Sequence, residues 1–222
     1  MLEWMSKGGP LMWFILVNAI IAVGVFFERL FYFHRAHIHT TDFVNGIRNS
    51  LKRGNIAEAR ATCDETVGPV AQVVRAAVIN HNRPREEMRE AVQDVARTEI
   101  ARLERRLVVL ATIAQVTPLI GFLGTVFGMI QTFKVIQTMT LPSPGLLAGG
   151  VWQALLTTAG GLVVAVPTYV AYNYFVSRVQ QLVIDMERAA NEIVNFLPRR
   201  GEPDEPANGP VVLEARQKAG GI

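Results

Sequence analysis

The chain has 222 residues, half of them apolar, and its 22 Lys and Arg against 19 Asp and Glu leave a formal charge of +3. Its one cysteine, Cys63, excludes an internal disulfide, and no nucleotide-binding loop, catalytic triad or metal-ligand spacing occurs along it. The informative property is where the charges are missing.

Three charge-free runs reach spanning length: Gly8 to Phe27, Leu107 to Phe133, and the forty-three residues between Lys134 and Arg178. About 20 apolar residues cross the hydrocarbon layer of a bilayer, so three transmembrane helices is the economical reading. Residues 1–33 hold an outer N-terminus and the first span. The basic flank of that span, Arg29 and Arg35, follows the apolar run, and no small-residue cleavage site comes after it. It therefore reads as an uncleaved anchor and not as a signal peptide. Glu28 and Arg29 read as interfacial charge that snorkels toward water, and Asn18, in mid-span, as making an interhelical hydrogen bond. His34, His37 and His39 lack a carboxylate or thiol at ligand spacing and read as a basic interfacial segment.

Residues 34–106 form a helical region rich in charge. Asp42 and Asn55 stand as N-caps of two short helices divided around Arg53-Gly54. Pro69 opens a third short piece that ends near His81. From Asn82 and Pro84 a helix meets no breaker before Pro118 and reads through to about Met139, roughly 80 Å at 1.5 Å per residue. Met88, Val92, Val95, Ile100, Leu103 and Leu107 form its apolar stripe. The second span is 107–139, residues 140–148 make an outer loop around Leu141-Pro-Ser-Pro-Gly145, and the third span is 149–177. Beyond it, 178–197 extend the helix, with a seam of Val179, Val183, Met186, Ala190, Ile193 and Leu197 that needs partner helices. The Pro-, Gly- and charge-rich residues 198–222 read as a disordered tail.

Thirteen of the Lys and Arg lie between His34 and Arg106 and six from Arg178 onward, whereas only Lys7 precedes the first span and only Lys134 lies near the second connection. The positive-inside rule then puts the N-terminus and 140–148 outside, and 34–106 and the C-terminus in the cytoplasm. The expected fold is an all-α membrane protein with three transmembrane helices, two of them very long and continuing into a cytoplasmic helical bundle. That leaves no room for an independent enzyme domain, so neither catalysis nor a cofactor or metal is expected.

The second and third spans are written in small and hydroxylic residues. Thr117, Gly121, Thr125, Gly128 and Thr132 share one face of the second, and Ala154, Thr158, Gly161, Ala165 and Thr168 one face of the third. Gly124 and Gly128 make a GxxxG pair that permits close backbone approach. Neither span holds an Asp, Glu, His, Lys or Arg. Proton relays in membranes use ionisable side chains; a proton path along these faces therefore needs a carboxylate from another chain.

The stretch from Thr117 to Phe133, TPLIGFLGTVFGMIQTF, and that from Gly150 to Pro167, GVWQALLTTAGGLVVAVP, followed by Tyr172-Asn173, resemble the two signature segments of the ExbB/TolQ/MotA family. The resemblance covers most of residues 8–197 and is nearer to ExbB or TolQ than to MotA, which has four spans. It implies a proton-channel subunit of an inner-membrane motor, assembled as a pentamer around the single span of an ExbD- or TolR-like partner whose aspartate carries the proton. The implied client is a TonB-like protein. A TolQ-like role in Tol-Pal envelope maintenance is the alternative, and a purely structural scaffold the reading from another class. Thr125 and Thr158 fall on the family's pore-lining threonines, with Thr117 and Thr157 as further pathway candidates. Gly121, Gly124, Gly128 and Gly161 are candidate packing residues, and Pro118 and Pro167 match the family's helix prolines. Gln153 stands where several ExbB and TolQ proteins carry a glutamate, which leaves the threonines as the candidates.

Overall fold

Uncharged stretches without strand alternation satisfy their backbone hydrogen bonds within a helix, the only open-chain solution in lipid. A computed structural model of the protein describes residues 9–36, 40–139 and 143–197. Seven helices follow one another among these residues: α1 (Pro10–Ala36), α2 (Thr40–Lys52), α3 (Ile56–Glu65), α4 (Pro69–Ile79), α5 (Arg85–Glu104), α6 (Leu107–Thr138) and α7 (Pro144–Phe196). Three helical stretches are long and apolar enough to cross a membrane, within α1, α5–α6 and α7. The expected tail at 198–222, the residues 1–8 and residues 140–142 of the expected outer loop lie outside the described residues, as do His37 and His39.

Three local expectations are corrected. Asp42 lies in the first turn of α2, which opens at Thr40, so its carboxylate faces the positive end of the helix dipole and does not cap it. Asn55 does cap α3, accepting from the Glu58 backbone N–H at 3.1 Å. The helix expected from Pro84 to Met139 is interrupted at Arg105-Arg106, where the charged segment gives way to the charge-free one and Arg106 is ion-paired with Glu28. The loop expected over 140–148 is shorter, because α7 starts at Pro144, whose fixed φ and missing N–H suit a first helical position.

Contacts divide the described residues into two compact units, 9–29 with 106–175, and 30–105 with 176–197. In the first, α6 and α7 pack antiparallel along their small faces. A Cβ built on Gly128 would lie 2.7 Å from both the Ala154 Cβ and the Gly150 carbonyl oxygen, and one on Gly121 3.1 Å from the Thr157 carbonyl oxygen. One on Gly161 would lie 2.9 Å from the Thr117 carbonyl oxygen, and one on Gly124 2.6 Å from the Thr157 Cβ. The glycines therefore let the two backbones touch within one chain. Helix α1 joins the pair through Ile15 and Ala22, which are buried, through Asn18, whose amide donates to Thr117 Oγ1 at 3.3 Å, and through Phe26, whose ring centroid is 5.6 Å from that of Phe175. The rest of α1 exposes Trp13, Phe14, Val17, Ile20, Val23 and Phe27, an apolar surface suited to lipid.

In the second unit, the seam on the far part of α7 finds its partners inside the chain. Val179, Val183, Met186, Ala190, Ile193 and Leu197 are all buried, along with Val44 and Ile47 of α2, most of α4, and Met88, Val92, Ile100 and Leu103 of α5. Arg48 of α2 reaches Glu192 at 3.1 Å, and Arg85 bonds Asn195. The seam was legible in the sequence; its satisfaction by α2–α5 was not.

Cys63 is fully buried in α3, and that burial, with Asp64 beside it, pushes its thiol from 9.0 up to about 11. Two units of pKa leave about 100-fold less thiolate at pH 8, and the thiolate is the reactive form. A soluble disulfide reagent should accordingly label the native protein at least that much more slowly than the protein unfolded in detergent and urea. Equal rates would contradict the burial. For the same reason Cys63 reports poorly on membrane sidedness.

Candidate functional site

Glycines at the α6–α7 seam decide where each threonine goes. Thr117 and Thr157 lie within it, at 0% and 1% exposure. Thr157 donates to the carbonyls of Gln153 and Ala154 at 3.1 and 2.9 Å, and its side chain fills the space that Gly124 leaves. Thr125 and Thr158 lie at the rim of the seam and are half-buried. The Thr158 hydroxyl crosses to α6 and donates to the Gly121 carbonyl at 3.0 Å, whereas Thr125 donates to the Phe122 carbonyl of its own turn at 2.6 Å. In an α-helix the Gly121 carbonyl also receives the Thr125 N–H, so the two rim residues share one acceptor.

Helical periodicity fixes the side on which they stand. The α1 side of α7 is marked by Gly160, a Cβ on which would lie 3.2 Å from the Met12 Sδ, and by Phe175. Thr158 precedes Gly160 by two residues, about 200° around the helix, and so lies away from α1. Thr125 is about 80° around α6 from Thr117, the residue bonded to α1. The α6–α7 pair thus has one face covered by α1 and one left open, with Thr125 and Thr158 bordering the open one.

That face offers a particular chemistry. Each rim hydroxyl has spent its proton on a carbonyl and turns only lone pairs outward, which suits a protonated carboxyl, hydronium, water or a metal cation and not a carboxylate. Among the described residues of α6 and α7 between Leu107 and Phe175 there is no ionisable Asp, Glu, His, Lys or Arg except Lys134, near the end of α6. Among the described residues no cluster of metal-ligating side chains occurs.

The other sequence candidates lie close to this frame. Gly121, Gly124, Gly128 and Gly161 all stand in the seam. Pro118 and Pro167 sit inside α6 and α7, and by lacking an N–H they free the carbonyls four residues earlier, at Ala114 and Val163. Glu28 is ion-paired with Arg106, and Arg29 is buried. Gln153 is half-buried, with its amide against Gly9 at the start of α1. Sequence reasoning passed over Gln115, and took Asn173 only as part of a motif. Both are exposed amides on α6 and α7, and no sequence pattern marks either.

Three membrane-length helices around a hydroxyl-rimmed, glycine-packed seam define a multi-pass membrane protein whose distinctive surface is polar but uncharged. The matching family model is the MotA/TolQ/ExbB proton channel family, over residues 65–188, more than half of the chain. The chain belongs to that family. It is 27% identical over 187 residues to an ExbB homolog of Methanothermobacter thermautotrophicus, covering 84% of this chain and 66% of that protein. It is 36% identical over 102 residues to the Tol-Pal system protein TolQ of Haemophilus influenzae, covering 46% and 45%. To the biopolymer transport protein ExbB of Aquifex aeolicus it is 37% identical over 90 residues, covering 40% and 61%. The chain thus spans from under half to about two thirds of the length of these relatives.

Proposed function

We propose that this chain is a proton-channel subunit of an inner-membrane motor, in which several copies, five in the arrangement the family implies, surround the single span of an ExbD- or TolR-like partner. The observation that carries the reading is the open face of α6–α7, where the Thr125 and Thr158 hydroxyls present acceptors and the described residues of both helices between Leu107 and Phe175 supply no carboxylate or histidine. The partner's aspartate crosses the hydrocarbon level protonated, its O–H donating to these oxygens, and gives up its proton where water reaches it. Acceptor-only hydroxyls favour the neutral acid at this level and disfavour its anion, so the partner span is held there until proton release makes the position unfavourable. That difference links proton passage to movement. One proton crossing 100 mV yields about 2.3 kcal/mol, so useful work draws on several. Residues 34–106 and the C-terminus lie in the cytoplasm on this reading, and an ExbB-like role in TonB-dependent transport is preferred to a TolQ-like one.

Substituting the rim hydroxyls tests it. Thr158→Val keeps the shape and loses one hydrogen bond, about 1 kcal/mol, because Gly121 retains its backbone donor. The variant, and Thr125→Val, should reach the membrane at wild-type levels while energised uptake or envelope integrity in cells falls severely, and Thr158→Ser should restore it. Full function in both Val variants would return these threonines to packing alone.

A further inference from the structure

Among the exposed amides of the first unit, two stand toward its Arg106 end. Gln115 on α6 and Asn173 on α7 have no hydrogen-bond partner among the described residues, although other exposed polar groups nearby, such as Thr112, bond to their own backbone. Gln115 lies eight residues into α6, about 12 Å along the helix from Leu107, inside the charge-free run. An unpartnered primary amide facing hydrocarbon at that depth is strongly unfavourable.

Both amides flank the rim threonines, Gln115 about 80° around α6 from Thr125 and Asn173 about 60° around α7 from Thr158. Gln115 precedes Thr117, the residue bonded to Asn18 of α1, by two positions. Asn173 precedes Phe175, the residue stacked on Phe26 of α1, by two positions. Two positions are about 200° of a helix, so each amide points across its helix from α1, as Thr158 does relative to Gly160. By contrast, the outward surface of α1 through Ile20 and Val23 is apolar. Towards the Lys134 end, the open face continues through Phe122, Met129, Leu155 and Val151 without an unpartnered amide. Gln131 is also exposed, but it stands about 160° around α6 from Gln115, and Gln137 lies beyond Lys134.

We propose that Gln115 and Asn173 line a water-filled vestibule that enters the open face from the Arg106 end and stops below Thr125 and Thr158, with Gln115 as its innermost hydrogen-bonding group. The inference rests on the reading of that face as the proton passage and adds where the water is. Gln115, about 15 Å along α6 from Thr125, can both donate to and accept from water. The amide itself takes no proton; the water it holds accepts the proton that the partner's carboxyl releases on leaving the threonine level, so the dry part of the passage lies between Gln115 and the Lys134 end.

Cysteine accessibility in inverted membrane vesicles decides the matter. Gln115→Cys and Asn173→Cys should react with a charged methanethiosulfonate reagent at least about tenfold faster than Ile20→Cys, because the reactive thiolate forms only in contact with water. Wild-type vesicles set the background from buried Cys63. The reactivities need only that the variants reach the membrane, and Asn173→Cys serves as the second position. Gln115→Cys reacting as slowly as Ile20→Cys overturns the vestibule. If that occurs while Thr125→Val and Thr158→Val still lose coupled function, the passage stands and its hydration is wrong. If the Val variants are silent, the passage reading itself fails.

Discussion

Gly128→Leu should prevent this protein from forming its membrane unit at all. A Cβ at that position already meets the Ala154 Cβ and the Gly150 carbonyl oxygen at 2.7 Å and the Ala154 Cα at 3.1 Å. Two of these three atoms are backbone, so no rotamer change relieves the clash, and three further carbons have nowhere to go. The helices must part, which also opens the contact of Gly124 with Thr157 and the bond from Thr158 to Gly121. Overpacking a good core costs about 1–3 kcal/mol, and forcing two backbones apart along several turns should exceed about 4 kcal/mol, the range reserved for severe lesions. Gly24→Leu is the control: nothing lies within 4 Å of a Cβ there, and leucine is the better helix former by about 1 kcal/mol. In mild detergent the Gly128 variant should give no monodisperse peak and no cooperative thermal transition, while the Gly24 variant behaves as wild type. A well-folded Gly128→Leu protein would contradict the seam. Because this seam lies inside one chain, the lesion precedes any assembly of subunits.

Much of the architecture could be read from residue order, for identifiable reasons. Charge-free runs set the three membrane-length helices, because length and the absence of charge suffice for that inference. An interhelical hydrogen bond of Asn18 was readable, since a mid-span amide needs a partner, and its amide donates to Thr117. What a pattern cannot supply is the identity of the surface it meets. The GxxxG pair at Gly124 and Gly128 marks close approach equally well between two chains or within one, and the approach is to Thr157, Ala154 and Gly150 of the same chain. The stripe from Val179 to Leu197 likewise announced a buried seam, yet its cover comes from helices far away in sequence. The resemblance singles out Thr125 and Thr158, but that they stand at the rim while Thr117 and Thr157 lie inside the seam is a tertiary fact. Gln115 was invisible because one amide forms no pattern; only its exposure opposite Thr117 gives it meaning. Burial of Cys63 was hidden in the same way, since a single thiol in a short helix carries no sign of what packs on it.

The largest functional effect expected is the dependence of proton flux on a second protein. Neither α6 nor α7 carries an Asp, Glu, His, Lys or Arg between Leu107 and Phe133 or between Pro144 and Phe175, and threonine hydroxyls whose protons are held by carbonyls do not exchange them across a membrane. The chain on its own therefore provides a surface that receives a neutral acid and no acid to receive. The direct measurement is proton uptake into liposomes under an imposed membrane potential, read with an internal pH dye. With this protein alone, the rate should not rise above that of empty liposomes. With a single-span partner carrying a membrane aspartate co-reconstituted, it should rise well above that level, and Asp→Asn in the partner should return it to baseline. Robust proton flux from this protein alone would contradict the account.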